Sequence, residues 1–340
     1  MLQTKPQIRR WLLPAVLALL MLTGLLGGRM VYELAQPISA GSAAAVMITV
    51  KPGMSTQEIG QVLYEKNLIR SVSLFRMVAR LEGMEKSLQA AEYSFSPNMS
   101  VRHIVGMLAR GEVAYRQFTV PEGYTIDQIA ALLAEKNLAD AAKFKEAAKV
   151  LRPYEYIQAG ADIVYPVEGF AFPDTYRVAR GVTEPQLLKM MLYQFNDRFT
   201  PEMKERARQM DLSLRDVIIL ASLVEKEAQV ESERPIIAAV FMNRLKLEMP
   251  LQSCATIQYI LGYPKPELTI QDTQIPSPYN TYLNMGLPPG PIANPGIDSI
   301  KAVLYPAATD NLYFVADKNG VHHFSKTYEQ HLAAIAQVSN

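Results

Sequence analysis

The chain has 340 residues, 49% of them hydrophobic and 20% charged, so it is long enough for about two domains and too apolar for a disordered protein. Its 34 Lys and Arg against 33 Asp and Glu give a formal net charge of +1, which argues against bulk electrostatic binding of nucleic acid. The single cysteine, Cys254, excludes an intrachain disulfide and a cysteine-rich zinc site.

An uncharged, largely apolar run occupies residues 11–28. As a helix it spans hydrocarbon about 30 Å thick if the next few residues contribute. Lys5, Arg9 and Arg10 precede it, and the positive-inside rule then keeps the amino end in the cytoplasm. We therefore predict that residues 1–31 form a cytoplasmic terminus and a single transmembrane anchor. The alternative is a cleaved signal peptide, but the run is longer than a usual signal core and no good cleavage site follows.

A linker of small and polar residues, 32–45, leads into an internal repeat. Residues 48–59 are echoed by residues 118–129, and residues 65–68 by residues 135–138, each pair lying 70 positions apart. The repeat predicts that one local structure occurs twice in the chain.

Each copy has a recognisable local pattern. A β-rich triplet ends at a Gly turn, after which Ser55 or Thr125 is placed to cap a helix. Asn67 and Asn137 stand where a left-handed helix end is expected.

The first copy resembles a LysM module, a small strand–helix–helix–strand fold that binds glycans of N-acetylated sugars. We assign residues 46–115 to it and residues 116–163 to a second repeat unit or connector. The alternative for the first copy is a spacer that holds the rest of the chain away from the membrane.

From residue 164 the chain mixes predicted helices with aromatic, Gly and Pro clusters and lacks a regular βαβ alternation. We predict an α+β fold for residues 164–340. The expected elements are a helix over 183–199, one starting at residues 211–213, one capped by Ser232, a hairpin closed by an Asn-Gly turn within 312–324, and a final helix over 327–338.

The end of one predicted helix carries the residues best suited to acid–base chemistry. Residues 218–224 contain one polar side chain, Ser222, and lead directly into Glu225. Apolar surroundings disfavour the charged form of a carboxyl group, as a general acid requires. Glu227 lies two residues on, and a helix turns about 200° over two residues, so only one of the two faces a given site. The alternative is that both glutamates are the solvated end of a core helix.

Three loops combine aromatic rings, amides and prolines, which suit the stacking and directed hydrogen bonds of a sugar site. They are residues 168–176, residues 277–282 and residues 286–296. Aromatic packing beneath long loops explains each of them about equally well.

Six segments in this order resemble the endolytic murein transglycosylase (MltG or YceG-like) family. They are residues 168–176, 221–228, 240–245, 279–282, 286–292 and 313–316. The similarity extends from the predicted anchor to the final helix. It implies a bacterial inner-membrane protein whose periplasmic domain cleaves the MurNAc-β-1,4-GlcNAc bond inside glycan strands and leaves 1,6-anhydro-MurNAc ends.

The resemblance also implies that Glu225, the first acid of the Glu-Lys-Glu triplet, is the catalytic residue. One departure is visible, because the family commonly has Asp-Pro where this chain has Cys254-Ala255. No partner carboxylate is evident near Glu225, so we expect it to act first as acid and then as base, with help from the 2-acetamido group of the substrate.

Supporting roles in substrate binding are predicted for further side chains. Asn280 and Gln252 are expected to hold acetamido or hydroxyl groups, and Arg244 to anchor a carboxylate inside the protein. Three tyrosines are expected to stack on sugar rings or to hydrogen-bond to them: Tyr176, Tyr279 and Tyr282. Glu168 and Asp174 are expected to orient a loop, and Ser222 is expected to line the site.

Other chemistry is disfavoured by spacing. His322 and His323 are adjacent on a predicted strand and point to opposite faces, so they cannot chelate one ion. Ser222 and Lys226 are four residues apart, not the three of a Ser-Lys hydrolase pair. We predict no cofactor or metal, peptidoglycan strands as substrate, and cell-wall synthases (penicillin-binding proteins) as partners. The rival hypothesis is a non-catalytic, membrane-anchored peptidoglycan-binding scaffold of those synthases.

Overall fold

The computed structural model describes residues 7–39, 44–265 and 267–338. Over these residues helices are combined with short two-stranded sheets, which confirms the predicted α+β class. The elements in order are α1 Gln7–Ala35, β1 Val46–Thr49, α2 Thr56–Glu65, α3 Val72–Leu81, β2 Glu92–Phe95, α4 Val101–Arg110, β3 Tyr115–Thr119, α5 Ile126–Glu135, α6 Ala141–Val150, β4 Thr175–Ala179, α7 Glu184–Arg198, α8 Pro201–Gln209, α9 Leu214–Glu227, α10 Arg234–Lys246, α11 Cys254–Leu261, α12 Ile297–Leu304, β5 Tyr313–Ala316, β6 His322–Ser325 and α13 Tyr328–Val338.

The first helix, α1, is 29 residues long. Apolar side chains along it, including Leu19, Leu22 and Leu25, are exposed. None of the helices in the described residues has the length and hydropathy needed to cross a membrane. The transmembrane anchor is therefore not confirmed and stays a prediction, and Lys5, one of the cations used to orient it, lies outside the described residues.

The chain divides into two compact units. Unit 1 consists of Met1–Arg116 and Val178–Gly181, and unit 2 of Gln117–Arg177 and Val182–Asn340. The core of unit 1 is built around Phe75, Tyr93 and Phe95, all of which are fully buried.

The internal repeat is visible as a repeated order of elements. In the first copy β1, α2, α3 and β2 follow one another, and β1 pairs with β2 in antiparallel register from Val46↔Phe95 to Thr49↔Glu92. The second copy has β3, α5, α6 and β4, and β3 again pairs with β4. The closing strand of the second copy thus lies beyond residue 163, within residues 164–340, which the sequence analysis separated from the repeat.

The local signals of the repeat are confirmed. Ser55 and Thr125 each cap a helix: the cap side chain accepts a hydrogen bond from the backbone N–H of the third helical residue, and the side chain of that residue accepts one from the backbone N–H of the cap. Asn67 and Asn137 adopt left-handed backbone angles, with φ of 52° and 53°. An asparagine tolerates this conformation better than most residues, which is why it marks the helix end.

The central helix of unit 2 is α9. Ser213 caps it, and Asp216 completes the reciprocal capping pair. Every residue from Val217 to Val224 is buried, and α9 packs against α10, α11 and α12. The hydrophobic helix predicted to carry the acidic pair is therefore the core of this unit, and its last turn sets where the two acids point.

The predicted cap of α10 is wrong. Glu233, not Ser232, is the N-cap residue, and Ser232 lies in a preceding 3-10 turn. Pro235 stands in the first turn of α10, where proline is favoured, so the helix begins at Arg234. The Glu233 carboxylate accepts instead from the backbone N–H of His322 and contacts the ring Nδ1 of that residue at 2.6 Å.

The hairpin and the final helix are confirmed. Strands β5 and β6 pair in antiparallel register from Tyr313↔Ser325 to Ala316↔His322. Gly320 in the turn has a φ of 79°, and α13 follows directly.

Candidate active site

The two glutamates at the end of α9 point to different surroundings, as their spacing predicts. Glu225 is buried, with 7% of its side chain exposed. Its Oε2 accepts hydrogen bonds from the backbone N–H of Gly296 (3.0 Å) and from Oγ of Ser299 (2.7 Å). The Arg234 guanidinium lies 3.9 Å from Oε1. Two hydrogen bonds therefore tie Oε2 to the start of α12, while Oε1 faces a cation on α10 at a distance too long for a hydrogen bond.

A second acid, Glu122, lies close to Glu225 and Arg234 and forms a charged cluster with them. Burial raises the pKa of Glu122, and the negative charge of Glu225 raises it further. Next to it, the Lys226 ammonium donates to the carbonyl oxygen of Gly123 (3.4 Å). The cluster ties the last turn of α9 to the segment after β3.

Glu227 lies in a different environment, beside the loop that leads into α11. Its Oε1 accepts from the Ser253 hydroxyl and from the backbone N–H of Ala255 (3.4 Å). Its Oε2 has no hydrogen-bond donor in the described part of the chain. Burial raises the pKa of this carboxyl group despite the two donors. A carboxyl group with one unoccupied oxygen and a raised pKa is suited to donate a proton.

A pocket of about 330 Å³ opens at Glu227. This volume is within the range of small-ligand sites. Its walls come from the end of α9, from α10, from the loop before α11, from Tyr282, from β5 and from α13, and they include Arg244, Gln252, Tyr313 and His331. Among the described residues that line it, Glu227 is the only carboxylic acid. The pocket thus combines one acid with tyrosine rings and an amide.

Two of the predicted binding residues do line this pocket. Gln252 has a left-handed backbone, with φ of 51°, and its Oε1 accepts from Nη2 of Arg244 (2.7 Å). Since a guanidinium only donates, this bond fixes the amide orientation and leaves the Gln252 Nε2 group as the donor for a ligand. The Tyr282 hydroxyl lies 3.1 Å from Sγ of Cys254, and burial raises the Tyr282 pKa.

Asn280 and Tyr279 do not line the pocket but shape the loop that carries Tyr282. The buried Asn280 amide donates to the carbonyl oxygens of Thr273 (3.0 Å) and Ile275 (2.8 Å), and its Oδ1 accepts from the backbone N–H of Tyr282. The Tyr279 ring packs on Tyr259 with centroids 5.1 Å apart, and burial raises its pKa to about 12. These side chains act through loop position.

Glu168 and Ser222 are also kept away from the pocket. Both carboxylate oxygens of Glu168 accept from the backbone N–H of Ile126, the first residue of α5 (3.1 and 3.2 Å), and Oε1 accepts from Asn294 (3.0 Å). Burial raises the Glu168 pKa to about 8. The Ser222 hydroxyl donates to the carbonyl oxygen of Ile219 (2.7 Å) and accepts from the backbone N–H of Ile292 (3.1 Å). All these polar groups are used inside the core.

Tyr176 and Asp174 stabilise the strand β4 rather than line the pocket. The Tyr176 hydroxyl donates to the carbonyl oxygen of Phe172 (2.6 Å), and its ring stacks on Phe118. Asp174 accepts from the backbone N–H of Thr175 (2.7 Å) and from the side chain of Gln194 (2.6 Å).

Several pocket residues were missed or misjudged from the sequence. The expectation that Arg244 anchors a carboxylate is wrong, because it donates to the carbonyl oxygen of Leu251 (3.3 Å) and to Gln252, and it pairs with no carboxylate among the described residues. Tyr313 lies in one of the segments that carried the resemblance, which was a usable signal. His331 had no such signal, because α13 reads as an ordinary amphipathic helix.

Comparison with known proteins shows the family to which this fold and pocket belong. The family model of the YceG-like family matches residues 48–337. The chain is 34% identical over 325 residues to the endolytic murein transglycosylase of Bacillus subtilis (strain 168), covering 90% of this chain and 89% of that protein. The protein of the same name from Streptococcus pneumoniae serotype 2 (strain D39) is 31% identical, over 95% of this chain and 64% of its own length.

A solved structure is also similar. The crystal structure of a YceG-like protein from Listeria monocytogenes superposes with a TM-score of 0.59 at 32% identity, covering 86% of this chain and 100% of that one. The chain therefore belongs to the YceG-like family.

Proposed function

We propose that this chain is an endolytic murein transglycosylase, a lyase that cleaves the MurNAc-β-1,4-GlcNAc bond within peptidoglycan strands and leaves 1,6-anhydro-MurNAc ends. Membership of the YceG-like family and the names of the relatives support the activity. The single observation that carries the assignment of the site is the pocket in which Glu227 is the one carboxylic acid among the described lining residues.

We place the catalytic proton on Glu227, the second acid of the triplet, where the sequence predicted Glu225. Glu225 accepts both of its hydrogen bonds at Oε2, from Gly296 and Ser299, and the Arg234 guanidinium lies 3.9 Å from its Oε1. Glu227 accepts at Oε1 only and, unlike Glu225, is among the residues that line the pocket. The pKa of Glu227 is raised by burial, so the group holds its proton at higher pH than an ordinary glutamic acid.

The reaction needs one carboxyl group acting twice. Protonated Glu227 gives its proton to the glycosidic oxygen, the bond from that oxygen to the muramyl anomeric carbon breaks, and GlcNAc leaves as an alcohol. The 2-acetamido group of the muramyl unit stabilises the positive anomeric carbon. The muramyl 6-hydroxyl then attacks that carbon and returns its proton to Glu227, so the acid is regenerated and water is not consumed.

A pair of matched variants tests the assignment. Glu227→Gln is expected to reduce release of anhydro-muropeptides by about 10²- to 10⁴-fold, the usual contribution of a general acid. Glu225→Gln is expected to lower thermal stability, since an amide replaces a well-bonded carboxylate, but to retain activity per folded molecule. Mass spectrometry of digested sacculi measures the products. If Glu225→Gln abolishes release and Glu227→Gln retains it, the acid is Glu225, as the sequence predicted.

The scaffold hypothesis gives a different result in the same assay. A non-catalytic peptidoglycan-binding protein leaves strand lengths and anhydro ends unchanged when the wild-type chain is added. Internal cuts by the wild-type chain that are missing with Glu227→Gln contradict that hypothesis.

The finer parts of the proposal concern anchoring and binding. We propose that α1 anchors the chain in the bacterial inner membrane with the amino end in the cytoplasm and the enzyme outside, where synthases extend the strands. The uncharged run of residues 11–28 and the exposed apolar side chains of α1 support this. Alkaline extraction of membranes tests it, because an anchored chain stays in the pellet.

We also propose that unit 1 binds glycan as a LysM-like module. Its strand–helix–helix–strand order supports this, as does a pocket of about 540 Å³ lined in part by Met47 and Tyr115. Loss of binding to N-acetylglucosamine oligomers in a Tyr115→Ala variant would support the module, and unchanged binding would count against it.

A further inference from the structure

Arg244 is a buried cation in the wall of the candidate active site. It lies on α10, only 8% of the residue is exposed, and its guanidinium carbon is 5.4 Å from the centroid of the Tyr313 ring. Both side chains line the pocket that contains Glu227. The charge therefore lies where a bound strand would pass.

The charge of Arg244 is not neutralised by the described part of the protein. Its two hydrogen bonds go to neutral acceptors, the carbonyl oxygen of Leu251 and Oε1 of Gln252. Its Nε is buried and has no hydrogen-bond partner. Arg234, on the same helix, contrasts with it because its guanidinium lies beside the Glu225 carboxylate. A buried cation without an anion is costly, and a site that binds an anion is one place where proteins retain it.

A second unpaired polar atom lies in the same wall. Nδ1 of His331 is buried without a hydrogen-bond partner, and its ring stacks on Tyr313 with centroids 5.2 Å apart. Burial, and then the charge of Arg244, lower the pKa of His331, which favours the neutral form of the ring. Arg244 and His331 thus present unused polar atoms in one pocket, beside a tyrosine face.

The chemistry of the substrate shows what these groups can meet. This step rests on the proposed function. The sugar backbone of peptidoglycan carries no charge, and its negative groups are the carboxylates on the muramyl unit, either in the peptide stem or on the lactyl ether when the stem has been removed. A guanidinium matches a carboxylate in shape and charge.

We propose that Arg244, assisted by His331, binds a carboxylate of the muramyl unit and thereby makes the enzyme selective for strands whose carboxylates are free. Arg244 then has two roles: it fixes the Gln252 amide through Nη2 and supplies the positive charge that recognises the substrate.

The test compares three preparations of the same glycan strands. One carries native stems, one carries stems whose carboxylates have been converted to amides, and one has been stripped of stems by an amidase, which frees the lactyl carboxylate. The wild-type chain is expected to cleave native strands with a kcat/KM about tenfold higher than amidated strands, the order of magnitude of a charge-assisted hydrogen bond. Because the lactyl carboxyl of native strands is held in the amide bond to the stem, the native-to-amidated ratio reports the stem carboxylates. The stripped strands show whether a lactyl carboxylate can replace them: rates like native strands show that it can, and rates like amidated strands confine recognition to the stem.

Variants separate recognition from simple support of the fold. In Arg244→Met the ratio of native to amidated rates is expected to fall to about one, whatever the absolute rates, and in Arg244→Lys part of the preference returns. Arg215 is the matched control, a half-buried arginine on α9 that donates to the carbonyl oxygen of Pro289 and is not among the pocket-lining residues. Arg215→Met is expected to change the rates on native and amidated strands by the same factor, so that their ratio stays as in the wild-type chain.

The outcomes that overturn the inference are specific. Equal cleavage of native and amidated strands by the wild-type chain contradicts it without any variant, and so does an unchanged ratio in Arg244→Met. If the wild-type chain releases no anhydro ends from any preparation, the proposed function itself has failed, which is a separate result.

Discussion

The backbone N–H of Ala255 is one of two groups that donate to the Glu227 carboxyl group. It lies in the first turn of α11, where the family that this chain resembles commonly has a proline. Proline has no N–H, so this chain supplies Glu227 with a donor that such relatives lack. A donor to a carboxylate favours its ionised form, which opposes the effect of burial.

Ala255→Pro is therefore expected to raise the pKa of Glu227. Because the acid must be protonated to act, the fall in kcat/KM with rising pH is expected to move to higher pH. Proline is tolerated in the first turn of a helix, so the fold should survive. The pH profile of kcat/KM measures the shift.

Ala255→Gly is the control for this change, since it keeps the N–H and should leave the profile in place. A profile for Ala255→Pro that coincides with that of the wild-type chain contradicts the role of this donor.

At the scale of single elements, α9 carries the acid and its start is set by Ser213. The Ser213 hydroxyl accepts from the backbone N–H of Asp216 (3.1 Å), and the Asp216 side chain accepts in return from the Ser213 backbone (3.2 Å). Ser213→Ala is expected to lower the free energy of unfolding by about 1 kcal/mol, as loss of such a cap usually does.

Ser232→Ala provides the comparison for this cap. Ser232 is exposed and does not cap α10, so its replacement is expected to change the free energy of unfolding by less than about 0.5 kcal/mol. Chemical denaturation of both variants measures the two effects. Equal losses would contradict the assignment of Glu233 as the cap.

Local signals in the sequence predicted the elements well, because caps and turns depend on neighbouring residues. Ser55, Thr125, Asn67 and Asn137 each do what their residue type and position indicate. The helical spacing also predicted that two acids would diverge. It did not decide which acid enters the pocket, since that depends on contacts between residues far apart in the chain.

Long-range contacts also explain why the positions of other predicted site residues could not be read from the sequence. Asn280 and Glu168 are polar residues in aromatic loops, a pattern shared by binding residues and by buried hydrogen-bonding centres. Their partners, Thr273, Ile275 and Asn294, were not apparent from that pattern. Arg244 was expected to face a carboxylate because buried arginines usually do, and the described residues provide none.

At the scale of the whole molecule, one supersecondary unit occurs twice with different surroundings. The second copy has a longer connection between its last helix and its closing strand than the first, and that connection carries Glu168 and Asp174. The Glu168 carboxylate accepts a hydrogen bond from the backbone N–H of Ile126, the first residue of α5. The added loop thus stabilises the copy that it interrupts.

This difference has a consequence for local opening of the two copies. The start of α2 is held by Ser55 and Glu58, both on the surface, whereas the start of α5 is also held by a buried acid. Surface caps open readily, while a buried hydrogen bond opens only when the packing around it does. In hydrogen–deuterium exchange, the amides of α5 are expected to remain protected for longer than those of α2, and Glu168→Gln to shorten the protection of α5 alone. If the two helices exchange at the same rate, the buried acid does not distinguish the copies.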